Sequence, residues 1–164
     1  MTTMVESPPN ADSRDLLTPD EFALVAGVVQ RNNCEMTSET AERITSQALA
    51  YVATCATFPH LRLRPSRTVD EGWHALILCT VVYARLCREL GLFVHHAPEP
   101  PGPERHDPGA LSRTMTAMRA AGYPVEPDLW VPPTDRTIPV AADCEHSEPP
   151  PAGCGFDCSN TGPN

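Results

Sequence analysis

The chain has 164 residues, room for one domain with tails and little more. Its formal net charge is −9 and all twelve of its cations are arginine, so it lacks the basic face that general nucleic-acid binding requires. Its longest apolar run, Ala75 to Ala84, is about half of what spans a bilayer and has Glu71 and Arg85 beside it, so no membrane span is expected.

Residues 1–15 contain no apolar stretch; they are expected to form a disordered arm and carry no secretory signal. The first helix is predicted over 19–31, with Thr18 as N-cap, Pro19 at the first helical position and Glu21 completing a capping box. Phe22, Val25, Ala26 and Val29 mark its inner face. The second is predicted over 38–57, with Glu39 and Glu42 in its first turn and a stripe of Ile44, Ala48, Tyr51, Val52 and Cys55. Pro59 closes it. A third helix is predicted over 68–91, from a Thr68–Glu71 capping box to a left-handed cap at Gly91. Val69, Trp73, Leu76, Thr80, Tyr83, Cys87 and Leu90 trace one face, and Ile77, Leu78, Val81 and Val82 make its middle apolar on nearly every side. A helix of that kind is expected at the centre of a bundle. The fourth, over 108–121, turns Leu111, Met115 and Met118 inward.

Nine of the nineteen prolines fall between Pro124 and Asn164, and that stretch carries −6 of the net charge. Such a composition buries too little apolar surface to offset its ordering entropy. The expected organisation is therefore an all-α, four-helix bundle-like domain over 16–131 around the helix 68–91, a disordered arm over 1–15, and a disordered, acidic, proline-rich tail over 132–164. Seven cysteines is an odd count. Cys34, Cys55, Cys79 and Cys87 lie in or beside helices, which is not a secreted disulfide framework, so a cytoplasmic setting is expected. The absence of lysine reads as the codon bias of a GC-rich bacterial genome.

Around the third helix stand Pro65-Ser66, Val69-Asp70-Glu71, Trp73-His74, Ile77-Leu78, Tyr83, Cys87, Gly91, Phe93, His95-His96 and Pro98. This pattern resembles the core of the glycine-rich domain-containing protein-like family, roughly PS-x-x-VDE-x-WH-x-x-IL, an aromatic, a cysteine and G-x-x-x-HH-x-P. The resemblance extends over about Leu16 to Trp130, including the stretch GYPVEPDLW. It implies a helical fold and brings no assigned reaction. Trp73, Tyr83, Cys87, His95 and His96 are the motif positions it singles out. Gly72 and Cys79 depart from the pattern, standing where helix formers or polar residues are expected.

Asp70 and His74 are four apart and share a helix face. Such a pair supplies two ligands to zinc or iron, or orients a general base. Equally, Asp70 stabilises the helix N-terminus and hydrogen-bonds the His74 ring. On a continuous helix, His95 and His96 lie out of reach. His74 to Gly91 spans about 26 Å at 1.5 Å per residue, and the four residues back to His95 recover at most about 14 Å. His60, in the preceding loop, is better placed to join Asp70 and His74. Arg62, Arg64 and Arg67 precede a helix N-terminus, where an anion docks or the arginines pair with the chain's own acids. In the tail, Cys144, His146, Cys154 and Cys158 are four soft ligands of the type that holds tetrahedral zinc, or copper, or else an unliganded segment. Cys79 and Cys87 read as core.

No nucleophile–base–orienter set and no phosphate-cradling glycine loop is present, so no catalytic residue is assigned. Two functional classes follow. One is a non-catalytic interaction or structural module acting through a protein partner. The other is a small metal-binding or metal-dependent protein using His60, Asp70 and His74, or the cysteine tail.

Overall fold

The structure, a computed structural model, describes residues 11–96, 107 and 109–140. It is all-α: α1 (Pro19–Asn32), α2 (Ser38–Thr57), α3 (Arg67–Leu78), α4 (Thr80–Leu90) and α5 (Ala110–Ala120), with 3-10 turns at Ser13–Leu16 and Pro127–Leu129. No strand occurs among the described residues. No helix among them is long and apolar enough to cross a membrane.

Helix α1 starts as its sequence dictates. Thr18 accepts from the Glu21 amide, and the Glu21 carboxylate accepts from the Thr18 amide at 2.9 Å. Arg85 of α4 reaches the same carboxylate at 2.6 Å and ties the two helices together.

The centre of the bundle is α2, not the third helix expected there. Eleven of its twenty residues are buried, and it packs against every other helix. Its apolar stripe includes Ala41, Ala48, Ala50 and Ala53, small enough for neighbours to approach closely from several sides. Thr45 and Thr54 return their hydroxyls to the carbonyls of Ala41 and Ala50, at 2.8 and 2.7 Å, so burying them leaves no polar group unpaired. Gly72 explains itself at the α2–α3 contact. A Cβ there would stand 2.7 Å from Ala48 Cβ and 2.9 Å from the Ile44 carbonyl, so only hydrogen fits.

Buried Gln47 organises the segment after α5. Its carbonyl oxygen accepts from Trp130 Nε1 at 2.7 Å and from the Glu126 amide, and its amide donates to the Pro124 carbonyl. Arg43 pairs with Glu126 and Asp128 on the same segment. Trp130 is thereby buried against Tyr51. Packing also involves residues outside 16–131: Ser13 donates to the Ser46 carbonyl at 2.8 Å, and Val140 is buried.

The expected helix 68–91 is two helices. Ser66, not Thr68, caps the first, accepting from the Val69 amide at 3.1 Å. At Cys79 the backbone leaves helical space, with φ −81° and ψ 64°, and this single residue ends α3 and begins α4. Cys79 precedes Thr80, Val81 and Val82, three β-branched residues whose χ1 freedom a helix restricts. The Gly91 cap is left-handed as expected, with φ 77°. Beyond the corner, α4 folds back so that Tyr83 meets Trp73.

Candidate metal centre

Helix α3 presents Asp70 and His74 on one face, one turn apart. The corner at Cys79 returns the chain so that residues 94–96 cross that face. Three side chains then converge. His96 Nε2 lies 3.0 Å from His74 Nε2 and 3.2 Å from Asp70 Oδ1, and His74 Nε2 lies 3.6 Å from Asp70 Oδ2. One ligand atom from each residue falls within 4.8 Å of the others. The distance argument that excluded His96 assumed an unbroken helix, and the corner overturns it.

Two aromatic residues hold His96 in place. The Trp73 ring lies 4.5 Å from the His96 ring, centroid to centroid. Trp73 Nε1 donates to the Tyr83 hydroxyl at 2.9 Å, and that hydroxyl donates to the Val94 carbonyl at 2.5 Å. Burial pushes the Tyr83 phenol well above its ordinary value, so it keeps the proton that it donates. The cluster is sheltered on the Trp73 side and open on the other: His96 keeps 19% of its side-chain exposure, Asp70 27% and His74 45%.

Which ring nitrogens donate here depends on the tautomers. A neutral imidazole nitrogen carries either a hydrogen or a lone pair. If His96 Nε2 donates to Asp70, its one hydrogen cannot also lie on the line to His74. If it accepts from His74, its lone pair faces the carboxylate oxygen instead. A cation among the three atoms satisfies all of them together.

The other candidates lie elsewhere. His60 is exposed in the turn after α2 and is not one of the three. His95 is exposed and packs on Phe93, ring centroids 4.8 Å apart. Arg67 sits in the first turn of α3 and donates to the Asp135 carbonyl, while Arg64 offers its amide to Thr114. Cys87 is core, as expected. Burial pushes the Cys55 thiol up to about 11, which removes it as a nucleophile at neutral pH. Cys144, His146, Cys154 and Cys158 lie outside the described residues.

These features define a helical domain whose candidate site is built from one helix and the strap that returns over it. The chain belongs to the UCP032817-like family, whose model matches residues 21–110, from the third residue of α1 through α4, and so includes the whole three-residue cluster. No curated protein and no solved structure matches it.

Proposed function

We propose that this protein binds a divalent transition metal, zinc or ferrous iron, through Asp70, His74 and His96. The observation that carries this reading is the convergence of three ligand atoms, one each from Asp70, His74 and His96, within 4.8 Å of one another. The spacing supports it. With metal–nitrogen bonds of about 2.0–2.1 Å, two ligands on one ion stand about 2.9 Å apart at a right angle and about 3.3 Å apart at the tetrahedral angle. The separations of 3.0 and 3.2 Å fall in that range. The third, 3.6 Å from His74 Nε2 to Asp70 Oδ2, lies just outside it.

The donor set points the same way. Two imidazoles and a carboxylate suit zinc and iron, and three protein ligands leave positions for water or substrate. An ion held this way acidifies a bound water or polarises an oxygen ligand. Asp70, His74 and His96 are also among the residues through which the chain resembles the glycine-rich domain-containing protein-like family.

The test is metal analysis of protein purified without a histidine tag, alone and after zinc or ferrous loading. Stoichiometric metal is expected, lost in Asp70→Asn, His74→Gln and His96→Gln and retained in His60→Ala. Retention after removal of residues 141–164 assigns it to the helical cluster. Loss only on that truncation assigns it to Cys144, His146, Cys154 and Cys158 instead. Failure of the full chain to hold either metal refutes the reading.

One observation favours a second reading, a non-catalytic module that docks on a partner. Leu78 and Val81, at the α3–α4 corner, are 65% and 82% exposed. That reading requires partner capture to survive in the metal-ligand variants and to fail in Val81→Gln.

A further inference from the structure

The strap is anchored as far as Val94. The Leu92 amide donates to the Cys87 carbonyl, and the Val94 carbonyl accepts from Tyr83. Val94 itself belongs to the buried core. Beyond that point the hold changes in kind. Among the described residues, His95 and His96 make no backbone hydrogen bond, and His95 is exposed, stacked on half-exposed Phe93. His96 is held by its side chain, through the Trp73 ring and its polar contacts with His74 and Asp70.

What His96 covers is equally defined. The Trp73 ring meets Tyr51 edge-on at 5.2 Å, its N–H is taken by Tyr83, and the His96 ring packs on it at 4.5 Å. Trp73 is 6% exposed and the His96 side chain 19%, so the imidazole is the outer of the two rings.

An ion on this centre has three protein ligands with His96 in place and two without it, because α3 holds Asp70 and His74 in either case. A ligand shifts a conformational equilibrium toward the state that it binds more tightly. Resting on the metal reading above, we propose that the centre is a metal-controlled cover. The bound ion clamps His95 and His96 over Trp73, and its loss frees these two residues and bares the indole.

The experiment uses the full chain and Zn2+, which has no redox chemistry of its own. Trp130→Phe leaves Trp73 as the one tryptophan, and acrylamide quenching of its fluorescence reads its exposure. The protein is stripped with a chelator and zinc is added back, while binding is followed separately by competition with a chromophoric chelator. Quenching is expected to fall as zinc binds and to level off when the site is full, with the far-ultraviolet circular dichroism unchanged. Should Trp130→Phe fail to fold, the wild-type chain gives the same reading above a constant contribution from buried Trp130. Ferrous iron under argon replaces zinc if metal analysis selects it. Metal that binds while quenching stays constant overturns the proposal and leaves the metal reading standing. A gain of helix on binding also overturns it, since the ion would then fold the domain rather than cover one side chain. A chain that binds neither metal sinks the metal reading, and this inference with it.

Discussion

Gly72→Ala inverts the sign that helix propensity alone predicts. In the interior of an exposed helix, this change stabilises by about 1 kcal/mol. Here the new Cβ would stand 2.7 Å from Ala48 Cβ, 2.9 Å from the Ile44 carbonyl oxygen and 3.0 Å from Ile44 Cγ2. None of these atoms is the end of a flexible chain. Relief therefore requires α3 to move away from α2, along the contact that supports the core. Overpacking of this kind costs up to about 3 kcal/mol, which leaves a net loss of about 2 kcal/mol after the propensity gain. Urea denaturation followed by far-ultraviolet circular dichroism measures it, with an unchanged slope and a lower midpoint expected. Ala48→Gly in the same chain removes the closest contact, so the two changes should be coupled favourably in a double-mutant cycle. A midpoint for Gly72→Ala equal to or above wild type refutes the close-approach argument.

Tyr83→Phe deletes the hydroxyl between Trp73 and Val94 and should lower metal affinity about 10–100-fold, as read by competition with a chromophoric chelator; unchanged affinity would show that something else holds His96. The Glu21 carboxyl sits below its ordinary value of 4.5, chiefly through its hydrogen bond from the Thr18 amide, with Arg85 adding to it. A carboxyl depressed on folding contributes stability that is present above its unfolded value and lost as pH falls through its folded one. Below pH 4.5 the melting temperature should therefore fall more steeply in wild type than in Glu21→Gln, and parallel curves would remove Glu21 as a contributor. Cys34 is exposed, while the Cys55 thiol is pushed up to about 11. A thiol reagent at neutral pH should modify Cys34 in the native protein and Cys55 only on unfolding. Peptide mapping that finds equal rates would contradict the burial of Cys55.

Local signals carried most of the fold. The Thr18–Glu21 box, the start of α2 after Thr37 and the left-handed cap at Gly91 all depend on neighbours within a few residues, and the structure holds each of them. The corner at Cys79 escaped because the apolar stripe keeps its phase through it. Val69, Trp73 and Leu76 before the break, and Tyr83, Leu86 and Cys87 after it, fit one continuous helix as well as two. The β-branched residues Thr80 to Val82 gave no warning, since they themselves are helical in α4. The candidate site inherited that error. Asp70 and His74 were legible as an i, i+4 pair, whereas His96 became a neighbour only through a tertiary turn. The role of Gly72 was likewise out of view, since the atoms that exclude a Cβ belong to another helix.

The placement of the three cluster residues along the chain fixes when the cluster can exist. Asp70 and His74 come together as soon as α3 winds, a local event on the microsecond scale or faster. His96 lies 22 residues from His74 and arrives only once α4 has folded back and Tyr83 has latched the Val94 carbonyl. Late arrival also means early departure. Within the strap, Val94 belongs to the buried core but His95 and His96 do not, so this end can open while α1 to α4 stay packed. Amide exchange should therefore find His95 and His96 opening well before α2. A ligand bridging His74 and His96 would draw the two protection levels together.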